Sequence, residues 1–97
     1  IAFDFTLIVL HLKAFGGEDN EARRRDAIQK LKAYIENTLL VDGADQDVIV
    51  LGDMNDRLDD QSDNNVFQII LDDSSDYRFL TLPLVNDSSY PGQNGLI

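Results

Sequence analysis

The fold class this sequence predicts is α/β, on three observations. Residues 3–12 alternate apolar and polar before turning wholly apolar, residues 21–40 carry an apolar repeat at helical spacing, and residues 48–51 form a second apolar run. In the first segment Phe3, Phe5, Leu7 and Val9 fall on one side, with Asp4 and Thr6 on the other. Ile8, Leu10 and Leu12 then make the second side apolar as well. Alternation passing into a continuous apolar run predicts a central strand covered on both faces, ended by Gly16-Gly17.

From Glu21 to about Leu40, the residues Ile28, Leu31, Ile35 and Leu39 recur at helical spacing, with Ala27 and Tyr34 beside them. Asp19 or Asn20 stands where it can cap this helix, and Glu18 and Glu21 complement the positive end of its dipole. Arg23, Arg24, Lys30 and Lys32 give it a basic face. Asp42-Gly43-Ala44-Asp45 reads as a turn, leading to a buried strand at Val48-Ile49-Val50-Leu51. Strand, helix and strand make one crossover unit, with the adjacency and direction of the strands left open. Residues 52–65 read as a polar loop, residues 66–71 as a short helical turn or strand, and residues 72–76 as a second acidic loop. Residues 77–84 read as a strand closed by Pro83, with Tyr77, Phe79 and Leu80 in the core. Pro91-Gly92 centres a last loop, and there is no internal repeat.

The chain has 97 residues, one domain's worth at most. Its 43% hydrophobic and 27% charged residues are ordinary for a globular chain and too apolar for an intrinsically disordered one. A net charge of −10, from 18 acidic against 8 basic residues, is a poor footprint for gripping duplex DNA through many phosphates. The absence of cysteine excludes disulfides, zinc–thiolate sites and a cysteine nucleophile. The run from Leu7 to Leu10 is far too short to cross a membrane. The opening residues have no basic segment or cleavage site of a signal peptide. They begin without Met inside an alternating apolar pattern, which reads as the interior of a longer protein.

Chemistry concentrates at the ends of the two strands. Val48-Ile49-Val50-Leu51 delivers Asp53 to a strand's C-terminal end, where the sites of layered α/β folds gather, and Gly52 lets the backbone turn closely there. Asp53 and Asn55, two apart in an extended run, point the same way. A carboxylate accepts a proton or ligates a hard cation, and a carboxamide beside it donates to a phosphoryl oxygen. His11, the sole histidine, ends the other strand. Each signal alone has a bland counterpart: an Asx-rich turn for Gly52-Asp53-Met54-Asn55 and a satisfied core or edge histidine for His11. Their coincidence at two strand ends is the stronger observation.

The run His11-Leu12-Lys13-Ala14-Phe15, then Asn20 with Arg24 and Arg25 opening a helix, then Val48-Ile49-Val50-Leu51-Gly52-Asp53-Met54-Asn55-Asp56, resembles the endonuclease/exonuclease/phosphatase superfamily, the deoxyribonuclease-I-like group. The resemblance spans residues 3–57, and Leu80-Thr81-Leu82-Pro83 with Tyr90-Pro91 and Gly95-Leu96-Ile97 looks like the approach to that family's last catalytic strand. It implies a four-layer α/β sandwich of two mostly antiparallel sheets flanked by helices. It implies a phosphoesterase using Mg²⁺, or Mn²⁺ or Ca²⁺, on a nucleic acid, phospholipid or inositol phosphate. At the matching positions it implies phosphate contact by His11, orientation or activation of the attacking water by Asp53, and a hold on water or phosphate by Asn55. Asp53 would be a secondary metal ligand. The family's metal-binding Glu and its C-terminal Asp-His pair have no counterpart in residues 1–97, so these are expected to form a partial domain, inactive alone. The acidic, cysteine-free character suits a secreted or periplasmic bacterial enzyme.

The remaining polar clusters read structurally. An EF-hand reading of the Asp53 loop fails at Arg57, Leu58 and Asn64, where a ligand, Gly and Glu are needed. Asp59, Asp60 and Asp63 read as a solvated loop, and Arg23-Arg24-Arg25 as an exposed helix face, with a phosphate contact from Arg24 or Arg25 the minority reading. The rival to an enzyme is a non-catalytic acidic α/β module binding a protein or calcium through its aspartate loops.

Overall fold

Thr6–His11 (β1) and Val48–Asp53 (β2) pair in parallel, Thr6 opposite Val48 and His11 opposite Asp53, in a computed structural model that describes residues 5–40 and 47–85. Between them runs the helix Glu18–Tyr34 (α1), so the expected crossover unit closes on adjacent, parallel strands. A wider π-helical turn, Ile35–Leu39, prolongs α1, its end marked by the Leu40 N–H donating to the Ile35 carbonyl at 3.0 Å. The helix begins three residues earlier than its apolar repeat. Gly17 is its N-cap, and Asp19 and Asn20, expected as caps, lie within the first turn, where the Asn20 amide donates back to the Gly16 carbonyl.

Alternation settles which residues share a face. Ile8, Leu10, Val48 and Val50 are half-buried on the side where Leu10 packs against the core that includes Ile28 of α1. Leu7, Val9, Ile49 and Leu51 form the other face, and their exposures run from 41% to 66%. The expectation of a strand covered on both faces is therefore corrected: among the described residues one face is half-buried and the other is open.

The core joins α1 to the second half of the chain. Leu12, Ile28, Leu58, Val66, Phe67, Ile70 and Val85 are buried together, with Leu10, Leu31, Met54 and Phe79 packed against them. Residues 66–71 resolve as a turn running into the short helix Gln68–Leu71 (α2). Residues 77–84 do not form the expected strand. They make an irregular segment and then the short helix Leu82–Val85 (α3), with Pro83 in its first turn, where a missing N–H costs nothing. Phe79 meets Phe67 edge to face at 5.7 Å, whereas Leu80, expected in the core, is 79% exposed.

The four-layer sandwich is overturned by the same facts. The described residues build one open two-stranded sheet and three helices, with no second sheet, because the segments that might have supplied further strands coil into turns and short helices. No helix among the described residues is long and apolar enough to cross a membrane. The expected turn at residues 42–45, Phe3 and Asp4 of the alternating segment, and the loop on Pro91-Gly92 with Tyr90 lie outside the described residues.

Candidate functional site at the ends of the parallel strands

His11 and Asp53 are the last residues of β1 and β2 and stand opposite each other in the register. Neighbouring strands lie about 4.8 Å apart, and paired residues of parallel strands direct their side chains to the same face. That face is the open one, so His11 and Asp53 are exposed side by side where the stripe of Leu7, Val9, Ile49 and Leu51 ends. The ladder runs one step beyond the strands, the Leu12 N–H donating to the Asp53 carbonyl at 3.0 Å. Leu12 turns into the core and anchors the chain just past His11.

Gly52 makes this pairing possible. Its φ is +139°, and a Cβ built there would fall 1.9 Å from the Leu10 carbonyl oxygen, well inside contact distance. Only glycine admits both the dihedral and the close passage of β1.

Asn55 is placed differently from its expected position. The extended run stops at Asp53, and Asn55 is left-handed with φ of 53°, so the two side chains do not share a direction through strand alternation. Its backbone N–H donates to Asp53 Oδ1 at 3.1 Å, an Asx turn that orients the carboxylate. Its side-chain Nδ2 donates to the Leu12 carbonyl at 2.9 Å, tying the end of β2 to the residue after His11. Asn55 thus organises the two strand ends directly. Its carboxamide is engaged with backbone, not held out toward a ligand.

Sequence reasoning missed the pair beneath this site. Arg24 is buried, and its Nε donates to Asp56 Oδ2 at 2.6 Å, each side chain about 6% exposed. Its Nη1 donates to the carbonyls of Lys13 and Phe15, both at 2.8 Å. A signal for this existed: Arg24 stands four residues before Ile28 and seven before Leu31, on the apolar stripe of α1 and not on its basic face. Among the described residues Phe15 is the other non-glycine residue with positive φ, at 75°. Two such residues in the two strand-end loops, each costing about 1–3 kcal/mol, persist only where the surroundings over-determine them, and here the Arg24 and Asn55 bonds do so.

The loop after Asp56 is more structured than a solvated acidic run. Leu58 enters the core, and buried Asn65 donates to the carbonyls of Leu58 and Asp60 while accepting from the Phe67 N–H at 2.8 Å. Arg57 grips Asp59 with two parallel bonds of 2.8 Å, holding that carboxyl below its usual range. Asp60 is pushed above its usual range by burial first, then by its hydrogen bond to Asp56 and that group's charge.

Asp53 is the carboxylate that the strand ends present, since Asp56 is committed to Arg24. Among the described residues no three acidic or histidine side chains gather in a way that would hold a metal ion. No chemical step is routed through a metal ion. A separate concavity of about 450 Å³, lined by Leu71, Ser74, Tyr77, Arg78, Phe79, Leu82 and Pro83, contains none of the three expected site residues.

No protein-family model, curated protein or solved structure matches this chain. The superfamily resemblance accordingly rests on the motifs alone.

Proposed function

We propose that this chain supplies the phosphate-facing residues of a phosphoesterase that hydrolyses a P–O bond by in-line attack of water. The observation that supports this reading is the register placing His11 beside Asp53 at the C-terminal ends of two parallel strands, with Asn55 fastening both ends. In this reading Asp53 orients the attacking water as a base, its direction fixed by the Asn55 N–H. His11 donates to the phosphoryl oxygens as charge develops on them. Asn55 acts by holding the two strand ends, a role its backbone contacts favour over direct phosphate contact. A divalent-metal requirement is part of the proposal only with its main ligands outside residues 5–40 and 47–85, and the substrate is a phosphodiester or phosphomonoester of nucleic acid, phospholipid or inositol phosphate type.

One observation favours a second reading. The Asp53 carboxylate also closes an ordinary Asx turn, which a non-catalytic acidic module binding a protein or calcium would equally show. The deciding experiment is hydrolysis of bis-p-nitrophenyl phosphate by the gene product that carries these residues, with and without Mg²⁺, beside its Asp53→Ala variant. The phosphoesterase reading expects turnover that falls about 10²- to 10⁴-fold in the variant. A folded gene product without turnover under any divalent ion would replace it with the binding module.

A further inference from the structure

The Arg24–Asp56 pair has no part in the chemistry proposed for His11 and Asp53, yet it bonds the loops that follow each of them. Burying a guanidinium and a carboxylate strips both of water, a cost that their attraction repays only with close geometry and further hydrogen bonds. Here one planar fork spans two loops. Nε reaches Asp56, three residues past Asp53, while Nη1 reaches the carbonyls of Lys13 and Phe15, two and four residues past His11. Asp56 is in turn fixed by the Arg57 N–H, which donates to its second oxygen at 2.8 Å. Asn55 makes a second side-chain tie between the two loops, to the Leu12 carbonyl. The strand ladder sets the spacing of His11 and Asp53 and ends one step on, at the bond from the Leu12 N–H to the Asp53 carbonyl. Arg24 holds the loop beyond each of them.

We propose that Arg24 is a positioning residue of the site: it locks residues 12–15 against residues 53–57 and so fixes His11 and Asp53 in one relative placement. The consequence for turnover rests on the phosphoesterase reading, whereas the placement itself does not. Lysine could not substitute, because a single ammonium cannot present the two nitrogens that Arg24 sends to opposite loops.

The test compares the gene product with its Arg24→Lys and Asp56→Asn variants, each checked for cooperative thermal unfolding. Two readouts are taken: kcat and KM for bis-p-nitrophenyl phosphate, and the NMR resonances of the His11 ring and the Asn55 side-chain amide. A folded Arg24→Lys variant is expected to lose about 10- to 100-fold in kcat with KM changed less than about threefold, as displaced supporting groups commonly cost. The His11 and Asn55 resonances are expected to shift in both variants. Unmoved resonances in a folded variant overturn the proposal, as does kcat within about twofold of the parent in an active enzyme. If the unsubstituted protein shows no turnover, the phosphoesterase reading fails and the resonances alone decide on Arg24. Should Arg24→Lys not fold, Asp56→Asn, which preserves size and an acceptor oxygen, carries the same comparison. If neither folds, the pair is a folding requirement and the positioning role is overturned.

Discussion

The two faces of the β1–β2 sheet are made of nearly the same side chains and meet opposite surroundings. Ile8, Leu10, Val48 and Val50 are half-buried, and Leu10 leads into a core where Ile28 is 1% and Phe67 2% exposed. Leu7, Val9, Ile49 and Leu51, one residue along each strand, face outward, with Val9 66% exposed. The polar residues follow the same division. Arg24 and Asp56 are buried against each other, while His11 and Asp53 close the open side and are exposed.

This contrast can be broken at several points. The largest expected effect is at the covered polar pair: Asp56→Ala leaves the Arg24 guanidinium buried without its carboxylate, which should cost about 3–5 kcal/mol in urea denaturation. Ile28→Ala, a large-to-small change at the most buried point of α1, should cost about 2–5 kcal/mol by the same measurement. Gly52→Ala combines a positive φ with a collision against the backbone of Leu10, and a loss of about 2–3 kcal/mol is expected, read from the thermal midpoint. On the open face Leu7→Thr and Val9→Thr should each stay within about 0.5 kcal/mol of the parent. A loss several times larger would mean that this face is covered in solution, and the contrast between the two faces would disappear.

The smallest effect concerns pH. Burial first, and then Asp56, hold the Asp60 carboxyl above its usual range. A raised carboxyl pKa favours the fold while the group is protonated, so its contribution is full below the unfolded-chain value of about 4 and is lost as pH rises through the folded value. Asp60→Asn should therefore flatten the fall in stability between the unfolded-chain value and the higher folded one. Glu36 has the opposite sign. Lys32 first, and the Tyr77 hydroxyl second, hold it below its usual range, so its contribution is present above that range and is lost as pH falls. Denaturant midpoints measured across pH 3–7 for the parent and the two amide variants (Asp60→Asn, Glu36→Gln) would separate the two.

Much of the local structure was legible because periodicity is a local property. The spacing of Ile28, Leu31 and Ile35 located α1, and the apolar runs ending at His11 and Asp53 located the strands that bring those residues together. Alternation also showed that Leu7 and Val9 share a face. It could not show that nothing described covers them, because a strand's pattern records what its side chains are and not what lies opposite. The four-layer arrangement failed at that step. Leu80 and the segment around Pro83 failed for a related reason, since a short apolar run serves a turn or a helix as readily as a strand. At the site, the extended geometry assumed for Asn55 gave way to a left-handed residue that no spacing rule reveals. Arg24 was the one legible omission: a charge on an apolar helical stripe signals a buried pair, and the triple-arginine run disguised it as surface.

The parallel pairing of β1 with β2 also dictates an order of events in folding. Thr6 cannot meet Val48 until all the intervening chain has been drawn into a closed loop, whereas each turn of α1 forms from neighbours three to five residues apart. Closing a long loop costs entropy before any sheet bond repays it, and a preformed helix shortens the chain to be closed. The juxtaposition of His11 and Asp53 is thus a non-local contact that carries the loop-closure cost of the whole crossover, although its residues terminate the two simplest elements in the sequence.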